Sequence, residues 1–145
     1  MRLGVLSDLH ANLPALEAAL EALRAEGVDE VLVLGDLVGY GPHPRQVIHR
    51  IWEEGLAAIA GAWDLRVAYP LPGPLPEGVG KATLEWTRAQ LGEKELAYLR
   101  SLRLSHRKSY GGMRLVAFHG KPGDPEGRVD LLGPARDLAF FLERY

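Results

Sequence analysis

Leu3 to Leu6 and Val31 to Leu34 are compact apolar runs bounded by Gly or Asp, too short for helices, and both read as buried strands. Between them the period changes. Leu16, Ala19, Leu20 and Leu23 recur at i, i+3, i+4 and i+7, Asn12 stands where an N-cap belongs, Pro14 fits the first turn and Gly27 marks the stop. A strand, a helix and a strand in that order make a βαβ unit, so the two strands are expected to be parallel. The pattern repeats once. A second helix follows Pro44 with Val47, Ile48, Ile51 and Trp52 on one face and Gly55 at its end, and Leu56 to Ala60 supplies a third short strand. Functional groups in such sheets collect beyond the carboxyl ends of the strands. Ser7 to His10, Gly35 to Pro44 and Gly61 to Asp64 are therefore expected on one rim.

The rest of the chain is less regular. Residues 69 to 78, Y-P-L-P-G-P-L-P-E-G, carry too much Pro and Gly for regular structure and read as a surface loop, a lid or a hinge. Val79 to Leu91 and Glu93 to Leu102 read as two helices broken at Gly92, and Tyr110-Gly111-Gly112-Met113 is a two-residue hairpin signal. The hairpin's second arm, Met113 to Phe118, runs into His119-Gly120. Gly133-Pro134 opens a last amphipathic helix with Leu138, Phe141 and Leu142 on one side. The expected fold class is α/β, with residues 1–145 in a single domain.

Composition narrows the function. A chain of 145 residues, 47% apolar and 25% charged, can bury one core without disulfides. Its formal net charge of -2 offers no broad attraction to nucleic acid or to an anionic membrane, so a substrate must be drawn by a local site. Without cysteine, the strong metal ligands left are His, Asp, Glu and Asn. A carboxylate at Asp8 comes too early for a signal peptide, and no apolar run approaches the roughly 20 residues of a membrane span, which makes the expected location cytoplasmic. Thirteen arginines against four lysines point to a GC-rich genome and hint at a thermophile.

Asp8 and His10 lie one residue apart just past the first strand, and Asp36 holds the same position after the second. Alone, either aspartate reads equally well as a turn former. Two adjacent parallel strands that each end in a carboxylate place like charges close together, and such charges repel unless a cation lies between them. A divalent metal site is the better reading, and His119, at a strand end, is a further rim ligand. His49 in mid-helix and His106 in the hairpin read as solvated or partly packed, while His43 lies near the site as a candidate substrate contact.

S-D-L-H-A-N, G-D-L-V-G-Y-G-P-H-P, the glycine-led loop at 61–64 and F-H-G-K-P-G-D-P together resemble the ordered signature of the calcineurin-like metallophosphoesterases, in particular the small bacterial and archaeal branch whose second motif continues into Tyr-Gly-Pro. The resemblance spans nearly the whole chain. It implies a two-sheet sandwich flanked by helices and a two-metal site of Mn, Fe or Zn at which an activated water attacks a phosphate ester. By motif position, Asp8 and His10 would serve the first metal, Asp36 would bridge both, and His119 would serve the second.

Two departures follow from the same resemblance. The third motif is Gly-Asn-His-Asp in the family, Asn ligating a metal and His, held by Asp, assisting the leaving group; here it is Gly61, Ala62, Trp63 and Asp64. A methyl group cannot coordinate, and an indole N–H has no proton to give at neutral pH. The family's terminal Gly-His-x-His would lie beyond Tyr145, which leaves the second sheet truncated, with an edge that invites a homo-oligomer. Three ligands remain for one metal and two for the other, so one weakly held metal rather than two is expected. Trp63 is expected to plug the hollow of the site, the alternative being a platform for a base. Two functional readings remain: an impaired hydrolase of small phosphomonoesters or phosphodiesters, and a non-catalytic relative serving as a binding or oligomerisation module. A third possibility is that the chain is a fragment.

Overall fold

A computed structural model describes residues 1–70 and 77–129. The element order is β1 (Leu3–Leu6), α1 (Leu13–Ala25), β2 (Glu30–Val33), α2 (Pro44–Glu53), β3 (Ala57–Ala58), α3 (Ala62–Ala68), α4 (Val79–Gln90), α5 (Glu93–Ser101), β4 (Ser105–Tyr110) and β5 (Met113–Phe118). The βαβ expectation holds. β1, β2 and β3 form a parallel sheet in that order, with Leu3 opposite Glu30 and Leu32 opposite Ala57. Asn12 caps α1, its side-chain oxygen accepting from the Ala15 N–H at 3.2 Å. The second sheet is the antiparallel β4–β5 hairpin, turned at Gly111-Gly112 as the sequence predicts.

The core lies between α1 and α2, the inner face of β2, and the helices α3 to α5. Leu16, Leu20, Val33, Val47, Ile48, Ile51, Leu84 and Leu99 are its main members. Each such side chain contributes roughly 1.5–3 kcal/mol by leaving water. Two expectations need correction. β1 is not a buried strand: among the described residues it is the outer strand of its sheet, and Val5 is 50% exposed. Trp52 does not join the buried face of α2 either; it is 53% exposed and stacks on Tyr98 with ring centroids 5.8 Å apart.

The second sheet is tied to the first by side chains and one backbone link. Glu30 on β2 accepts from Lys108 Nζ at 2.5 Å and from the Tyr110 hydroxyl at 3.2 Å. The Ala60 N–H donates to the Arg103 carbonyl at 2.9 Å, which carries the chain from α5 alongside the end of β3. These ties bring the end of β5 to the carboxyl rim of the parallel sheet. No helix among the described residues is long and apolar enough to cross a membrane. The core of the lid segment (71–76) and the last amphipathic helix (134–145) lie outside the described residues.

Candidate metal centre

The first three rim segments meet as expected, but the third is not a loop. Gly61 starts α3, so Ala62, Trp63 and Asp64 form its first turn. The Asp64 side chain closes that turn by accepting from the Gly61 N–H at 2.9 Å with Oδ2. Its other oxygen accepts from Leu37 N–H at 2.9 Å and Val38 N–H at 3.1 Å. Asp64 therefore fastens α3 to the loop after β2. At the other end, Arg88 donates to the carbonyls of Arg66, Val67 and Tyr69, and Arg100 to that of Ala68, so two guanidinium groups satisfy the carbonyls that the last turn leaves open.

Asp36 is the centre of the arrangement. Its Oδ2 lies 3.7 Å from His10 Nε2 and 3.6 Å from His119 Nε2, and His10 Nε2 lies 3.8 Å from Asp8 Oδ1. Asp36 Oδ1 accepts from the Trp63 N–H at 2.9 Å, which turns the other oxygen toward the two rings. Both rings are oriented from behind. His10 Nδ1 faces the Val38 carbonyl at 3.3 Å and His119 Nδ1 faces the Leu34 carbonyl at 2.6 Å. A carbonyl can only accept, so each Nδ1 carries the proton in the neutral ring and each Nε2 presents a lone pair toward Asp36.

The segment Leu34 to Val38 fixes all of this through its backbone. The Gly35 carbonyl accepts from Asp8 N–H, that of Asp36 from His10 N–H, and that of Leu37 from Ala11 N–H. Together with the two ring contacts, each carbonyl from Leu34 to Val38 holds a residue that carries a ligand or adjoins one. Such gripping needs a contorted backbone. Asp8, His10, Ala11, Asp36 and Tyr40 all have φ between 45° and 60°, the left-handed region, which costs roughly 1–2 kcal/mol per non-glycine residue. Gly35 and Gly61 pass back to back: a Cβ on Gly35 would lie 2.5 Å from Gly61 N, and one on Gly61 would lie 2.2 Å from Asp36 N.

The electrostatics favour a cation. Burial pushes the Asp36 carboxyl above the ordinary carboxylate range, and the nearby Asp8 pushes the same way, against the Trp63 N–H and the two imidazoles. Asp64, with no exposed surface, is pushed up to about 7, chiefly by burial and further by Asp36, although three backbone N–H groups oppose the shift. Asp8, His10 and Asp36 each offer a ligand atom within 4.8 Å of the others, the one grouping of three or more such residues found among the described residues. His119 reaches this group through Asp36. Carboxylate and imidazole donors in this set suit borderline first-row divalent ions, so the residues fit the implied metal.

Beside the ligands lies a cavity of about 610 Å3. Asp8, Asp36 and His119 line it together with Trp63, Arg66 and Arg128. Trp63 does not plug the hollow. It forms part of the wall, set against Gly39 and edge-to-face with Tyr40 at 4.5 Å, and Tyr40 in turn meets the His10 ring at 5.0 Å. Arg66 pairs with Glu126 in the turn after His119. The structure places His43 at the start of α2, its N–H on the Ala11 carbonyl at 3.1 Å, and not among the cavity residues. His49 is a structural partner of Glu95 at 2.8 Å, and the bond holds the Glu95 carboxyl below its usual range. His106 lies within β4. Arg66, Glu126 and Arg128 are absent from the sequence expectation. Arg66 was within reach of it, since Gly61 followed by Asp64 is a helix start and puts Arg66 one turn from Trp63.

Comparison with known proteins agrees with this geometry. Residues 1–140 match the model of the calcineurin-like phosphoesterase superfamily domain. The crystal structure of a metallophosphoesterase from Sphaerobacter thermophilus is 34% identical, with a TM-score of 0.72 over 100% of this chain and 56% of that one. A hypothetical protein, PH1004, from Pyrococcus horikoshii OT3 is 28% identical, with a TM-score of 0.82 over 97% of this chain and 64% of that one. Phosphodiesterase YfcE of Escherichia coli is 34% identical over 68 residues, 41% of this chain and 37% of that protein. The chain thus spans less than two thirds of the length of each of these three proteins.

Proposed function

Because the chain belongs to the calcineurin-like phosphoesterase superfamily, we propose that Asp8, His10, Asp36 and His119 hold a divalent cation and that the site hydrolyses phosphate monoesters or diesters at reduced efficiency. The observation that carries this reading is the Asp36 oxygen set between two Nε2 atoms, at 3.7 and 3.6 Å, whose rings are locked from behind by backbone carbonyls. Preorganisation of this kind lowers the cost of binding a metal, because the tautomers and ring angles are already those a ligand needs. A divalent Mn, Zn or Fe ion there would supply Lewis acidity and neutralise the charge of a bound phosphate. One ion on Asp8, His10 and Asp36 is expected to bind first, since Asp36 and His119 alone make a poor second site.

The chain's own residues then have separate tasks. Asp8, Asp36 and the two histidines would hold the cation, and an ester would be positioned beside them only through it, since their facing atoms are acceptors with no hydrogen to offer a phosphate oxygen. Water adds to phosphorus as the bond to the ester oxygen breaks, and the departing oxygen takes its proton from solvent, because Trp63 has none to donate. That loss of general-acid help is worth about 100- to 10,000-fold in rate.

Trp63 and Ala62 also favour a second reading, a binding module that has lost turnover. The two are separated by hydrolysis of chromogenic phosphomonoesters and phosphodiesters by metal-stripped protein, with Mn, Zn or Fe restored and Asp36→Ala as control. Metal-dependent turnover that disappears in Asp36→Ala establishes the hydrolase. Turnover that is absent, or equal in the two proteins, rejects it in favour of the binding module.

A further inference from the structure

The loop between β2 and α2 contains a turn that packing does not account for. The Gly41 N–H donates to the Gly39 carbonyl at 2.7 Å, and Tyr40, the residue between them, has φ 60°. A three-residue turn with positive φ at its centre is the rarer, strained form of the γ-turn. Glycine would relieve that strain, and tyrosine stands there instead. Burial offsets little of it, because Tyr40 is 57% exposed. Backbone strain that the fold does not need for packing points to a task for the side chain.

What the turn achieves is placement. The Tyr40 ring meets the His10 ring edge to face, with centroids 5.0 Å apart and planes at 84°, and meets the Trp63 ring at 4.5 Å and 61°. The flanking glycines are fitted against the same two partners. The Gly41 N–H also donates to the His10 carbonyl at 2.9 Å, and a Cβ on Gly41 would lie 2.3 Å from that oxygen. A Cβ on Gly39 would lie 3.0 Å from the Trp63 indole.

We propose that Tyr40 is a positioning residue for the cation site: its ring fixes the angle of the His10 imidazole and is itself braced by Trp63. This role rests on the divalent-cation reading and adds a residue to it. His10 is the ring that needs such support. Its Nδ1 contact with the Val38 carbonyl, at 3.3 Å, is longer than an ordinary N–H···O bond, whereas that of His119 with Leu34 is 2.6 Å. The His10 side chain is also the more exposed of the two, at 26% against 14%. One long bond at Nδ1 leaves the plane of the ring free to tilt about it, and an aromatic edge-to-face contact removes that freedom. Trp63 thus serves the cation at one remove, through Tyr40, without a proton to give.

Ring and strain are separated by three substitutions. Tyr40→Phe keeps the ring, Tyr40→Ala removes it and keeps the strain, and Tyr40→Gly removes both. Manganese is titrated by calorimetry into the wild-type chain and each variant, and urea midpoints are read on the same metal-free proteins. Wild type and Tyr40→Phe should bind alike, while Tyr40→Ala and Tyr40→Gly should both bind about tenfold more weakly or worse, the usual loss when a partner that orients a metal-binding histidine is removed. The midpoints should follow strain instead, with Tyr40→Gly unfolding at higher urea than Tyr40→Ala. A merely structural Tyr40 would make the two readings rank together. Affinity that recovers from Ala to Gly along with the midpoint therefore overturns the proposal, and so does wild-type affinity in Tyr40→Ala or a loss in Tyr40→Phe. For the brace, Trp63→Ala should weaken manganese binding in the wild-type background and add nothing in Tyr40→Gly; additive losses overturn it. Wild-type protein that binds no manganese overturns the cation reading and the positioning role with it, whereas wild-type binding that the Tyr40 substitutions leave unchanged overturns the positioning role alone.

Discussion

Replacing Asp64 by Asn removes a buried charge while nearly preserving shape, and the structure predicts how the effect depends on pH. Asp64 has no exposed surface, and burial raises its carboxyl from 3.8 to about 7. A carboxyl whose folded value exceeds its unfolded value binds more protons when folded. Its contribution is therefore fully present below about pH 4 and is lost as pH rises to about 7. At about 1.36 kcal/mol per unit, the shift corresponds to a loss of about 4 kcal/mol across that window, a large share of the roughly 5–15 kcal/mol that holds a domain together. Asn does not titrate. Urea unfolding of both proteins at several pH values between 4.5 and 7.5 should show the wild-type advantage over Asp64→Asn shrinking steadily, with the titrations of groups that do not interact with Asp64 cancelling in the difference. Asn brings a fixed penalty of its own, because its amide would face the Gly61 N–H now accepted by Oδ2, but that offset does not vary with pH. A difference that stays flat, or grows with pH, would refute the reasoning and mean that the three N–H donors outweigh desolvation. Bound manganese should move the midpoint down, since Asp36 is among the charges that raise it.

Two further substitutions test how the site is held. Gly61→Ala would drive a methyl group to 2.2 Å from the Asp36 amide and its Oδ1, a clash with backbone that no rotamer relieves; manganese affinity by calorimetry should fall by at least about tenfold with helix content by circular dichroism nearly unchanged, and wild-type affinity would exclude the close approach. Arg88→Ala should lower stability by about 2–4 kcal/mol in urea unfolding, since it strands three carbonyls at the end of α3, and a cost below about 1 kcal/mol would mean water replaces the guanidinium.

Much of the frame is legible in the sequence because local signals and tertiary demands agree there. Asn12 and Pro14 start α1 where its apolar period begins, and Gly111-Gly112 turns the hairpin between runs that pair residue for residue. Asp8, His10, Asp36 and His119 are legible as rim residues because each follows a strand. The misreadings have physical causes. Trp52 follows the period of α2, but the helix turns that position toward Tyr98 at the surface, and periodicity alone cannot tell a core face from a surface stack. The seven residues of α3 are too short for a periodic signal, and their start is marked only by the bond from Gly61 to Asp64. Arg128 and Glu126 reach the cavity through a turn after the hairpin, a proximity set by the pairing of distant segments and invisible to any local pattern.

The carbonyls of Leu34 to Val38 act as a common ruler for Asp8, His10 and His119, and Asp36 belongs to the ruler itself. Thermal motion of that segment carries the four side chains as one body, so their mutual spacing varies less than their position. Arg128 and Glu126 have a looser tether, joining this body through His119 and the Arg66 pair. The softest coordinate of the site is then the width of its mouth and not the size of its cage. On the proposed reading, release of an ion and release of a small molecule would depend on two different sets of bonds, the first on the carbonyls of Leu34 to Val38 and the second on the Arg66–Glu126 pair.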